Sequence, residues 1–140
     1  MSRLQCGCGW ALLLLVACGC GGQYTISGTV TYDGKPVPCG EIVLTPDPEK
    51  GNSGPGLLLR IEDGHYQTVD QRGQVGGAYS ARISGYKAPE PGPSMSRCGY
   101  PIFVDYVVAV ELPRGEAVHD FVVPPQQPVN IGPPIGGLKK

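Results

Sequence analysis

The sequence is poor in most of what carries chemistry or crosses a membrane. It holds one tryptophan, two phenylalanines, two methionines and two histidines in 140 residues, and only 16% of its residues are charged. Apart from Lys139-Lys140, its 11 Lys and Arg are scattered singly against 12 Asp and Glu, so no basic stripe exists to neutralise a phosphate backbone. That pattern argues against a nucleic-acid partner. No apolar run approaches the ~20 residues of a membrane-spanning helix, and no window of helical period appears. What is plentiful is turn chemistry, with 22 glycines and 15 prolines. Strand-forming residues alternate with polar ones between them, which favours many short strands joined by turns over disorder. At this length one domain with a single core is expected, burying roughly two thirds of the surface of the unfolded chain.

Four of the six cysteines crowd the N-terminus in "CGCGWALLLLVACGCGG", Cys6 to Gly22. Two Cys-x-Cys pairs suggest a zinc site, but Trp10 to Ala17 between them is continuously apolar and cannot form the chelating turns. With Arg3 ahead and small residues behind, the run has the layout of a signal peptide. Leu15-Val16-Ala17-Cys18 resembles the lipobox of bacterial lipoprotein signal peptides. The resemblance implies cleavage after Ala17, a diacylglycerol on the Cys18 thiol and an acyl chain on the new N-terminus. Two or three such chains anchor stably where one binds a membrane only marginally. Cys20, with Ala17 three positions upstream in place of a large aliphatic residue, is the weaker match and is left without a role. Cys6, Cys8 and Trp10 depart with the signal peptide. Gly19 is not the aspartate associated with inner-membrane retention, which mildly favours the outer membrane. Residues 1–17 are therefore expected to be a signal peptide and 18–23 a lipidated N-terminus and short tether.

Beyond the tether, Tyr24, Ile26, Val30 and Tyr32 fall on one face and Thr25, Ser27, Thr29 and Thr31 on the other, the period of a half-buried strand. Asp33-Gly34 predicts a tight turn, and Pro36 and Pro38 an extended stretch poor in ladder donors. Further strands are expected at Glu41–Thr45, Leu57–Glu62, His65–Asp70, Ala78–Ser84, Asp105–Leu112 and Ala117–Val123. Asp63-Gly64 and Arg114-Gly115 read as turns, "QRGQVGG" as a flexible link, and residues 85–104 as a long crossover loop too rich in proline to pair. Along Asp105–Leu112, Tyr106, Val108, Val110 and Leu112 should face inward. Residues 124–140 lack apolar periodicity and read as a mobile, polyproline-like tail. Seven short strands separated by turn signals predict an all-β sandwich for residues 24–123.

"YTISGTVTYDGKPVPCGEIVLTP", followed by "IEDGHYQT" and "GQVGGAYSARISGY", is similar to small secreted lipoproteins with a carboxypeptidase-regulatory-like, or transthyretin-like, domain. The resemblance spans about residues 24–123 and implies a seven-stranded transthyretin-like (prealbumin-like) β-sandwich. It implies little about function, since fold and function are separable. The glycine usual before the second strand is here Cys39.

In an exported domain Cys39 and Cys98 can pair, closing a loop of about 60 residues worth about 4 kcal/mol in the chain-entropy view. The alternative is two separate thiols. His119 shares parity with Phe121 and Val123 and is read as a structural histidine near a sheet edge, while His65, beside a turn, is read as solvated. Asp47, Glu49 and Asn52 carry oxygen ligands at short spacing without the full calcium-loop pattern, and are read as a solvated turn. The Tyr-Arg-Gly-Ser ending of transthyretin-like hydroxyisourate hydrolases is missing, and no closely spaced His pair suggests the iron site of intradiol dioxygenases. No catalytic residue, metal or cofactor is therefore assigned. The expected function is a lipid-anchored module of the cell envelope that serves a structural or binding role, contacting an envelope polysaccharide or protein through strand edges and the 85–104 loop. The contrasting expectation is a metal-dependent enzyme using His65, His119 and nearby tyrosines.

Overall fold

The computed structural model describes residues 22–69, 72–92 and 96–126. The expected signal peptide, Cys18, Cys20 and most of the C-terminal tail lie outside them. Among the described residues there are nine strands: β1 (Ile26–Tyr32), β2 (Lys35–Pro36), β3 (Cys39–Pro46), β4 (Leu57–Glu62), β5 (His65–Gln67), β6 (Gly77–Tyr86), β7 (Pro101–Leu112), β8 (Ala117–Val118) and β9 (Phe121–Val123). A single 3-10 turn, Pro48–Lys50, is the other regular element. No described helix is long and apolar enough to cross a membrane.

The strands form one curled sheet in the order β2-β1-β5-β4-β3-β6-β7, antiparallel throughout, and β8 and β9 add to β1 in parallel. The curl follows from the sequence pattern. Ile42 and Leu44 on β3 and Leu59 and Ile61 on β4 alternate with exposed neighbours, and Ala81 and Ile83 on β6, to either side of exposed Arg82, oppose Leu44 and Ile42. They need a second apolar surface to bury against, which Ile26 and Val30 of β1 with Phe121 and Val123 of β9 supply.

Two Asp-Gly turns set the register of this layer. Asp33 and Gly34 take φ of 49° and 72°, and Asp63 and Gly64 take 49° and 79°, the left-handed pair that matches the twist of a two-residue hairpin. Where β1 meets β8, Gly28 is required for a different reason. A Cβ there would stand 1.9 Å from the His119 carbonyl oxygen, which accepts a 2.5 Å hydrogen bond from the Tyr66 hydroxyl.

Three differences from the sequence expectation have clear causes. The last strand is split at His119–Asp120, because Asp120 turns aside and its carboxylate accepts from the Thr29 N–H and hydroxyl, each at 2.8 Å. Residues 85–104 are not a crossover. β6 runs on to Tyr86 and β7 begins at Pro101, opposite it, so only 87–100 is loop, and it joins antiparallel neighbours. Pro101 is tolerated because a first strand residue sacrifices little of the ladder.

The period of two then breaks inside β7. Tyr106 faces Ile83 but Phe103 faces Gly85, so β7 spends an extra residue opposite Ser84. Asp105 takes φ 54° there and its N–H donates to Ser84 Oγ at 3.2 Å. This bulge lets Phe103 face inward on one side of it and Val110 and Leu112 on the other, with Tyr106 and Val108 partly buried beside them.

Candidate functional site

β3 runs the height of the fold, about 25 Å at eight residues. Its two ends mark the two larger of the concave places among the described residues. Gly22, the first described residue, lies beside the end of β3 that carries Pro46, here the entry end. The start of β3, at Cys39, is the far end.

At the far end Cys39 and Cys98 are joined in a disulfide, with Cα atoms 5.7 Å apart. Because Cys39 opposes Tyr86 on β6 and Glu62 on β4, the bridge draws the 87–100 loop back over β6 onto β3. Arg97 extends the reach to β4, its Nη2 standing 3.1 Å from Glu62 Oε1. The result is a groove of about 470 Å³ between the loop and the sheet. Glu41, Arg60 and Glu62 supply charge along one wall, and Tyr86, Pro89 and the bridge form the other. Tyr100, at the foot of the loop, is 71% exposed. The groove thus offers donors, acceptors and the flat Tyr86 ring together.

At the entry end a wider cleft of about 750 Å³ lies between Tyr24, the 50–54 loop, the 75–77 segment and Arg114. Its foundation is polar and fully paired. Gln74 has no exposed surface, and its amide nitrogen donates to the carbonyls of Pro113 at 3.0 Å and Gly115 at 2.6 Å. Its amide oxygen accepts from the Gly76 N–H. Asn52 is buried too, donating to the Ala78 carbonyl at 2.8 Å and accepting from the Gly54 N–H at 3.0 Å. The Tyr79 hydroxyl accepts from the Val75 N–H. Lys50, Glu111 and Arg114 stand exposed around the mouth. Lys50 is 3.6 Å from Asp47, whose carboxylate also caps the 3-10 turn through the Glu49 N–H.

The solvated-turn expectation is right for Asp47 and Glu49 and wrong for Asn52, which points inward. Gln74 gave no warning either, sitting in what reads as a flexible link. The only local hint was its place between glycines, where the chain can approach other backbone closely.

The histidines flank β1, His65 on β5 and His119 in the break between β8 and β9. His65 opposes Thr29 from β5 and is exposed. His119 is half-buried, its ring edge-on to Phe121 at 4.6 Å between centroids. No group of three or more His, Cys, Asp or Glu is arranged to hold a metal ion among the described residues. Tyr66 and Asp120 are the perturbed groups nearby. Burial first, and then the Asp120 carboxylate, push the Tyr66 phenol far above its ordinary range. Hydrogen bonds from the Thr29 hydroxyl and then the Thr29 N–H, with a smaller contribution from His119, hold Asp120 below the usual carboxylate range. The phenol is committed to the His119 carbonyl and the carboxylate to Thr29, so both fasten the β1–β8–β9 layer.

No family model and no curated protein sequence matches this chain. Its fold is similar to the crystal structure, at 1.80 Å, of a DUF3823 family protein from Parabacteroides merdae ATCC 43184. The two share 16% identity with a TM-score of 0.42, over 74% of this chain and 47% of that one.

Proposed function

We propose that this chain is an exported module of a bacterial cell envelope, acylated at Cys18, whose transthyretin-like β-sandwich binds an envelope polysaccharide without catalysing a reaction. The observation that carries the reading is the far-end groove. A disulfide suits an oxidising compartment, and here it fixes a loop that would otherwise be free to move. Fixing the loop leaves Pro89 and Arg97 standing against Glu41, Arg60 and Tyr86 in one arrangement before any ligand arrives. A preorganised ring, that of Tyr86, flanked by charged donors and acceptors suits a sugar, which presents hydroxyls at its rim and C–H groups on its faces.

Anchoring and binding are tested separately. Mass spectrometry of the native protein should show an acylated N-terminus at Cys18, and Cys18→Ser should release the chain from membranes; an intact Met1 would refute the anchor. Co-sedimentation of the mature protein with purified cell-wall polysaccharide should be lost in Tyr86→Ala and Arg60→Ala variants that retain the wild-type circular dichroism spectrum. Undiminished sedimentation of both variants would refute the groove. Stoichiometric iron or zinc, lost on His119→Ala, would replace the whole reading with the metal-dependent one.

A further inference from the structure

We infer that the entry-end cleft lies against the bilayer and engages zwitterionic phospholipid headgroups, phosphate at Lys50 and Arg114 and ammonium at Glu111. The inference rests on the Cys18 anchor proposed above. Four peptide units separate Cys18 from Gly22, and a fully extended chain covers about 14 Å over that length. Gly22 itself forms part of the cleft wall, beside the Tyr24 ring. The tether thereby keeps the cleft wall within about 14 Å of the acylated residue, which brings its mouth within reach of the headgroup layer, while the far-end groove stands about a strand length, roughly 25 Å, away from it.

The chemistry of the mouth fits what lies there. Its lining carries two cations and one anion, a mixed set suited to a phosphate and an ammonium on one small headgroup. The Tyr24 ring adds a face on which an ammonium can rest. Asp47, behind Lys50, moderates that cation and disfavours a purely anionic ligand. The buried amides of Asn52 and Gln74 are already satisfied within the protein, so they hold the loops in place and leave binding to the rim.

The sequence itself provides the probe. Its only tryptophan, Trp10, falls in the segment that cleavage removes, so the mature protein is dark at tryptophan wavelengths and one introduced tryptophan reports one place. Three single variants of the full lipidated protein are reconstituted into vesicles containing a headgroup-nitroxide lipid. Ser53→Trp and Gly115→Trp place the reporter at the entry end, the second where an added Cβ meets nothing within 4 Å. Lys35→Trp places it at the far end, on β2.

Quenching of both entry-end reporters should exceed that of Lys35→Trp about threefold or more, given the roughly 25 Å between the ends. In phosphatidylethanolamine-containing vesicles, adding Glu111→Gln should weaken that quenching; in vesicles of phosphatidylglycerol, which has no ammonium, it should not. Equal quenching at both ends overturns the orientation. A Glu111→Gln effect that ignores headgroup type overturns the ligand. Tryptophan fluorescence from the unsubstituted protein would instead show that Trp10 is retained, which refutes the anchor reading and is distinguishable from both.

Discussion

At the far end, one covalent bond ties the 87–100 loop across neighbouring strands, and the side chains beside it remain in contact with solvent. At the entry end, the loops around 50–54, 74–77 and 113–115 are tied by buried amides instead, Gln74 and Asn52, each satisfied on both its nitrogen and its oxygen. The contrast shows two ways to close the ends of a curled sheet. A disulfide restrains a loop from the unfolded side of the equilibrium and leaves the local surface chemistry unassigned. A buried polar network restrains through desolvated hydrogen bonds, so every member is needed. The far end is therefore freer to carry a ligand groove in its side chains, whereas the entry end has fixed its interior and can use only its rim.

Breaking the covalent tie should have the largest effect. The double variant Cys39→Ser/Cys98→Ser frees a loop with a sequence separation of 59, and should lose about 4 kcal/mol of stability. Denaturant unfolding of the oxidised wild type against the variant measures it; a loss no greater than that of either single amide would reverse the comparison. Gln74→Ala comes next. It leaves the Gly76 N–H and two carbonyls without their partner, at about 2–4 kcal/mol from unpaired buried groups and lost packing. Hydrogen exchange should then accelerate at 74–77 and 113–115 and stay unchanged near Cys98, which would show that the two ties act independently.

Asp120 provides a smaller test, away from either end. Its carboxyl is held below the ordinary value in the folded state, so its contribution is present above that value, about 3.9, and is lost as pH falls through the lowered one. Thermal melts of wild type and Asp120→Asn should differ at pH 7 and converge towards pH 2; a constant difference would assign the role of Asp120 to packing. Smallest of all is Arg97→Ala. The Arg97–Glu62 pair is well exposed on both sides, and its removal should change stability by about 0.5 kcal/mol or less. If the same variant weakens polysaccharide binding, the pair shapes the groove without holding the fold.

How much of this was legible beforehand depends on the distance over which each feature is decided. Strand β4 was read from the sequence with its boundaries intact, because LLLRIE is a short aliphatic run that follows a glycine- and proline-rich loop and is closed by the Asp63-Gly64 turn. β7 was read only from Asp105 onward, because one register shift between Phe103 and Tyr106 and a second between Pro101 and Phe103 break the alternation of its first residues. Asp120 accepts hydrogen bonds from Thr29, 91 positions away, and that partner is what divides the final strand. Gln74 looked like part of a flexible link because its partners, Pro113 and Gly115, are distant in sequence as well.

By itself, then, the sequence determined the all-β class, the two Asp-Gly turns and the faces of the regular strands. These follow from local backbone preference and a period of two, which need no knowledge of neighbours. It also set out two cysteines able to pair, without their separation in space. The tertiary structure alone decided that β8 and β9 run parallel to β1, that the 87–100 loop folds back onto β3, and that two neutral amides are buried at the entry end. Each of these depends on which segments meet across long stretches of chain, where burial and hydrogen-bond satisfaction are settled jointly and local pattern is silent.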